Sequence, residues 1–244
     1  MEFFLQLLVN GVCIGLLYGI SAMGFVMIFK SSSVLNFAHG ELLALGAFFF
    51  LSLVTWAQLP VYVAFILTMI GCFILGFLIE RFFLRPLIGE KLIFVIMLTV
   101  GLAAMFKGFI LLVWGGNLHT YPEFLPPSMA MQFGSIYVAP AYSATLIISV
   151  VFLVLFGLFF KKSSQGIYMR SVADNQKAAL SLGVHVRRVF ALSWAIAALV
   201  ACMSGIVLGI INGVNVHDLS SIGLKVFPVV ILGGLDSIGG AIIG

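Results

Sequence analysis

Long apolar runs recur along this chain, at 3–29, 42–59, 61–79, 92–114, 140–160, 189–211 and 226–243. Each is close to or above the roughly 20 residues that a helix needs to cross a bilayer. Over such lengths in lipid, a helix satisfies its own backbone hydrogen bonds, which an open strand cannot do. The runs therefore predict an all-α fold, a polytopic transmembrane helix bundle forming one domain over 1–244. Composition agrees: 63% of residues are hydrophobic and 8% charged, against about 25% charged in soluble domains. Only Glu2 is charged ahead of the first run. That run lacks the basic start of a signal peptide and exceeds its roughly 7–15 apolar residues, so it reads as a retained span.

Charge sorts the connecting segments into two kinds. The gap at 80–91 holds Arg81, Arg85 and Lys91; that at 161–188 holds Lys161, Lys162, Arg170, Lys177, Arg187 and Arg188. With Lys30 these are ten of the 12 basic residues, whereas 115–139 has none and 212–225 only Lys225. Basic loops mark the cytoplasmic side. Counting back places the amino terminus outside and 30–41 inside. The remaining cation, Lys107, stands alone in the fourth run near its external end. It is expected to snorkel outward, with an internal ion pair as the alternative.

The stretch 30–50, "KSSSVLNFAHGELLALGAFFF", puts Asn36, His39 and Glu41 between two spans. Glu41 in the first turn of a helix would be favoured by the helix dipole. The alternative is a lining or gating role, because irregular backbone at membrane depth is tolerated where it is buried in protein or lines a cavity. Such broken helices build transport sites. The ending, "GGLDSIGGAIIG", is a poor continuous helix, since each interior glycine costs about 1 kcal/mol relative to alanine. It reads as a half-helix over 226–232, a glycine turn carrying Asp236, and the start of another helix. Broken or re-entrant helices are thus expected near 30–41 and 233–240, with further sequence expected beyond Gly244. The two breaks, with Asn36, His39, Glu41 and Asp236, are candidate path elements and candidate counterparts in a two-half fold.

Small residues form two stripes: Gly11, Gly15 and Gly19 in the first run, and Ala197, Ala201, Gly205 and Gly209 in the sixth. Both fit close helix packing in lipid, with a moving interface as the alternative. In the gap 161–188, residues 171–182 have helical composition, with Gly166 before them and Gly183 after as a helix stop. A helix there needs either a membrane surface or a partner groove. Cys13, Cys72 and Cys202 are isolated in apolar runs and read as packing residues. There is no GxxxxGK[ST], HExxH or GxSxG, and the four histidines are dispersed. No enzyme site, metal or cofactor is expected.

Four motifs, "LNFAHGELLALGAF", "LTVGLAAMFKGFILLVWG", "GIYMRSVADNQKAALSLGVHVRRVFALSWAIAA" and "IGLKVFPVVILGGLDSIGGAIIG", together resemble the permease subunits of branched-chain amino-acid-type ATP-binding-cassette (ABC) importers. The resemblance spans nearly the whole chain in order. It implies a bacterial or archaeal cytoplasmic (inner) membrane location and partnership with two cytoplasmic ATPase subunits, a second homologous permease and an external solute-binding protein, with no nucleic acid. ATP hydrolysis would lie in the ATPases. The segment 166–183 then resembles the family's coupling helix, with Gly166, Arg170, Ala173, Asp174, Asn175, Ala178, Leu182 and Gly183 on the docking pattern. Lys107 departs from a family helix that is usually uncharged. Substrates implied are amino acids, branched-chain foremost, or related urea and amides. Two other readings remain: an ion- or proton-coupled secondary transporter using Glu41 and Asp236, and a membrane-embedded enzyme or scaffold.

Overall fold

The structure is a computed structural model describing residues 2–32, 34–87, 90–133, 136–234 and 238–243. Its helices are α1 (Glu2–Ser32), α2 (His39–Thr55), α3 (Val61–Ile79), α4 (Leu92–Trp114), α5 (Pro140–Lys162), α6 (Ser164–Asp174), α7 (Gln176–Ser181), α8 (Val186–Asn212), α9 (Val216–Gly233) and α10 (Ile238–Ile243). Six of them, α1, α3, α4, α5, α8 and α9, are long and apolar enough to cross a membrane. The chain is an integral, multi-pass membrane protein. A π-helical turn, Glu80–Leu84, and a 3-10 turn, Arg85–Leu87, follow α3. Between α4 and α5 lies a small antiparallel hairpin, β1 (Met131–Phe133) and β2 (Ile136–Val138), with Gln132 opposite Tyr137.

Local chemistry sets the helix ends. The Ser31 and Ser32 hydroxyls donate to the Ile28 carbonyl at 3.1 and 2.7 Å, diverting an acceptor from the last turn of α1. Pro140 occupies the first turn of α5, where its missing N–H costs nothing. Gly213, at φ +76°, ends α8 in the left-handed region that glycine adopts freely. Asn215 then caps α9, accepting from the His217 and Asp218 amides.

Helix α8 is the axis of the bundle. It packs most heavily against α1, α2 and α3 and is buried along most of its length. Small residues permit this. A Cβ on Gly46 would lie 2.6 Å from the Cys202 Cα, and one on Gly76 2.5 Å from the Trp194 carbonyl oxygen. A Cβ on Gly205 would run into the Leu43 carbonyl, and one on Gly209 would lie 2.7 Å from the Tyr121 hydroxyl. The stripe Ala197, Ala201, Gly205 and Gly209 is therefore the seam on which α8 meets its neighbours.

The structure corrects four expectations. Gly11 and Gly15 are exposed and meet nothing within 4 Å, so only buried Gly19 of the first stripe lies within the bundle. Contact with α8 falls lower on α1, where Ser204 Oγ donates to the Leu17 carbonyl at 3.2 Å. Second, the last span begins at Val216 rather than 226; the polar first turns, capped by Asn215, had lowered the local hydropathy. Third, the expected helix 171–182 is two helices, α6 and α7, broken at Asn175 (φ −156°, ψ 103°). Fourth, Gly166 lies inside the first turn of α6 rather than ahead of the helix. The glycine turn after α9 is borne out at Gly234, φ +95°, with α10 following. Asp236 lies outside the described residues.

Candidate translocation site

Helix α2 starts inside the bundle, not at its surface. A Cβ on Gly24 of α1 would lie 3.0 Å from the His39 ring. Gly24 is eight residues before the end of α1 at Ser32, a depth of about 12 Å at 1.5 Å per residue. The chain therefore leaves α1, turns back and restarts at membrane depth. Among its 17 residues, α2 buries 11, including His39 and Glu41.

Each polar group of the restart has a definite partner, or conspicuously lacks one. The Asn36 side-chain oxygen accepts from the Ala38 amide at 3.1 Å, and its backbone carbonyl accepts from the His39 amide at 3.3 Å. This Asx turn replaces the helical bonds lost at the break. Thr99 of α4 donates to the Leu35 carbonyl at 3.3 Å. His39 Nε2 sits 2.9 Å from the Ser21 carbonyl and 3.2 Å from the Ser21 hydroxyl. A carbonyl only accepts, so Nε2 carries a hydrogen. His39 Nδ1, Asn36 Nδ2 and the Ser220 hydroxyl are all buried and have no hydrogen-bond partner. Each such group costs about 1–3 kcal/mol.

Two further elements close around the restart. Gly40 abuts α9 so tightly that a Cβ there would collide with the Ser220 carbonyl, and one on Gly223 would lie 2.6 Å from the Gly40 nitrogen. The Ser220 hydroxyl lies beside the Glu41 carboxylate without forming a well-directed bond. Lys107 of α4 is half-buried. Yet among the described residues the sole ion pair within 4 Å is Glu80–Arg85. Lys107 thus forms no direct ion pair among the described residues. An aromatic group adjoins His39: Phe25 stands edge-on to it with ring centres 5.9 Å apart, and Phe227 contacts both Phe25 and Phe37 at 5.2 and 6.0 Å.

At the hairpin side of the bundle, Tyr121 covers the junction of α2 and α8. Its hydroxyl donates to the Ala47 carbonyl at 3.1 Å, and its ring meets Phe50 at 5.1 Å. Burial pushes its phenol well above the usual tyrosine range. A hollow of about 540 Å³, lined by Thr120–Leu125, Pro140, Ala141 and Gly209–Gly213, opens beside it.

On the opposite, basic side, α6 and α7 form an exposed elbow. Ser163 caps α6 by accepting from the Gly166 amide at 2.9 Å, and Asn175 caps α7 by accepting from the Ala178 amide at 3.0 Å. Gly183 closes α7 at φ +82°. Asp174, Asn175, Ala178, Leu182 and Gly183 are exposed, Leu182 at 83%, whereas Ala173 is half-buried and Gly166 buried. Arg170 turns inward. Its guanidinium donates to the Phe160 and Lys161 carbonyls and lies 5.4 Å from the centre of the Phe160 ring. It completes the C-terminus of α5 and is not a free surface charge. Gln176 of α7 lines a hollow of about 470 Å³ together with Ser32, Val34, Glu80 and Trp194. The elbow therefore reaches the foot of the broken segment.

Residues 7–244 match the protein family described as the branched-chain amino acid transport system permease component. The chain belongs to that family. It is 30% identical to the high-affinity branched-chain amino acid transport system permease protein BraD of Pseudomonas aeruginosa, over 99% of this chain and 82% of BraD. It is 28% identical to LivH of Escherichia coli K12, described in the same words, over 99% and 82% of the two chains. A probable branched-chain amino acid transport permease LivH of Methanocaldococcus jannaschii is 27% identical over 91% of this chain and 72% of its own. No solved structure gives a significant match.

For a permease-family member, the cluster at the α2 restart includes residues that the sequence alone did not single out. Ser21, Thr99 and Ser220 each belong to a different helix and lie inside otherwise apolar surroundings. Their one sequence signal was polarity within a span, which is diluted by many serines that merely bond to their own helix.

Proposed function

We propose that the chain is a permease subunit of an ABC importer in the bacterial or archaeal cytoplasmic membrane, with its amino terminus outside. Its substrates are amino acids, branched-chain foremost, with related small amides and urea as the neighbouring class. The observation that carries this reading is the family match across residues 7–244. The names of the relatives supply the substrate class. Two ATPase subunits, a second permease and a solute-binding protein complete the assembly.

In this reading the α6–α7 elbow is the coupling element on the cytoplasmic side. Ala178, Leu182 and Gly183 form its docking surface with Asp174 and Asn175, while Gly166 and Arg170 hold the elbow on α5. Movement of the elbow reaches the restart through the hollow that Gln176 shares with Val34. Asn36, His39 and Glu41 line the path at membrane depth, with α9 and Tyr121 as its covers. Asp236 belongs to the second break and is a further path candidate.

Co-purification tests the reading. The permease, expressed with the candidate ATPases and extracted in detergent, is expected to retain them. A double substitution of exposed residues, Ala178→Arg with Leu182→Asp, is expected to release them while the permease stays monodisperse. Normal ATPase retention by the double variant would remove the elbow from the interface. No retention by the unmodified chain would favour the secondary transporter.

A further inference from the structure

Helix α9 buries one face and leaves the other open. Val216, Leu219, Ile222, Val226 and Val230 turn into the bundle. On the opposite side His217, Leu224, Pro228 and Ile231 are exposed and Ser221 is half-buried. Those five recur every three or four residues, the spacing of a seam that packs against another helix. A hollow of about 660 Å³ lies along the seam, lined by Phe37, Leu224, Phe227, Pro228, Ile231 and Leu232.

Apolar side chains alone would suit lipid, but two features of this face do not. Lys225 is exposed beside the seam, nine residues from the start of α9 and eight from its end. At 1.5 Å per residue it stands about 12 Å or more from either end, farther than a lysine stem can snorkel. A cation at that depth needs a partner. Among the described residues Lys225 forms no ion pair. Asp218, the acid of the first turn of α9, lies about 10 Å away along the axis. Pro228 is the second feature. It has no N–H to offer the Leu224 carbonyl, and lipid supplies no donor in its place.

We infer that this face of α9 docks a membrane-spanning helix of the second permease subunit, one that carries a carboxylate level with Lys225. The inference rests on the permease reading and adds to it the seam between the two permeases. The charge selects a different chain over a second copy of this one. Two copies meeting on this face about an axis normal to the membrane bring their Lys225 side chains to the same depth, so like charges oppose each other. The seam also adjoins the restart. Phe37 lines the same hollow, and Gly223 meets Gly40 across the buried face of α9. A partner helix seated there bears on the element that covers the candidate path.

The test uses the full chain coexpressed with its candidate second permease and ATPases and extracted in detergent. Leu224→Cys and Ile231→Cys are each expected to form disulfides with single cysteines placed along one helix of the second permease, in a pattern repeating about every 3.5 residues. The native cysteines Cys13, Cys72 and Cys202 are buried. Lys225→Glu is expected to cut recovery of the second permease by about tenfold or more, and Lys225→Arg to keep it. An acid-to-lysine change in the second permease at the crosslinked level is expected to restore recovery with Lys225→Glu. Crosslinks no more frequent than those from Leu112→Cys, exposed on α4, would overturn the inference. So would disulfide-linked dimers of this chain alone, which make the occupant a second copy. Unchanged recovery with Lys225→Glu and no crosslink to any protein would leave the face to lipid and overturn it too. The crosslinks keep Lys225 and need no charge variant to fold. Crosslinks without ATPase retention would overturn the importer reading and leave the seam standing; ATPase retention without crosslinks would do the reverse.

Discussion

Single residues carry unequal weight because this bundle is held by backbone proximity as much as by apolar area. Gly205 touches the Leu43 carbonyl region and has no room for a Cβ. Gly205→Val is therefore expected to cost at least about 1–3 kcal/mol of overpacking and to appear as lost monodisperse protein in gel filtration. Gly11→Val, on an open face, is expected to be neutral in the same assay. Tyr121→Phe removes a buried bond to Ala47 and should cost about 0.5–1.5 kcal/mol, read as a lower midpoint of thermal unfolding. The Tyr121 phenol is held neutral by burial, so its raised ionisation point gives a sign. Its contribution is full below the ordinary tyrosine range and is lost as pH rises through that range towards the folded value. In absorbance titration Tyr121 should ionise after the exposed tyrosines.

The elements show what the sequence makes legible and what it does not. The spans at 61–79 and 92–114 were readable to the residue, because uninterrupted apolar runs bounded by Pro60 and by charged loops leave little ambiguity. The second break was legible in its glycines, and Gly183 in its stop position. The start of α9 was not: a capping Asn215 and a polar first turn look like loop when hydropathy is averaged. The division of α6 from α7 was hidden for a related reason. Asn175 sits within helix-favouring sequence, and its extended backbone and side-chain bond to the Ala178 amide show that it ends one helix and starts another. Asn175→Ala is expected to cost about 1 kcal/mol of cap energy and to weaken ATPase retention by loosening the elbow, measured in the co-purification assay. Arg170→Ala should also weaken retention. It would act by freeing the α5 terminus rather than by removing a surface contact.

For the whole molecule, the arrangement joins two ends of a membrane bundle through one buried axis. The candidate site was only partly legible, since Asn36, His39 and Glu41 stood out in sequence while Ser21, Thr99 and Ser220 came from three other helices. Tertiary packing alone brings those helices to the restart. The same packing sets α9 across the α2 N-terminus and α7 beside its foot, so a push on the elbow has a short physical route to the polar cluster. Restraining that closure should stop transport without preventing assembly. A crosslink between cysteines introduced at Phe37 and Phe227, whose rings stack with centres 6.0 Å apart across the restart and α9, is expected to abolish uptake reversibly with reductant while the ATPases stay bound. The most direct measurement of the central claim is leucine uptake into proteoliposomes holding the permease pair, its ATPases and the binding protein. ATP-dependent accumulation inside the vesicles, lost when ATP is replaced by a non-hydrolysable analogue, is the predicted result. Accumulation that ignores ATP and follows an imposed proton or sodium gradient would contradict it.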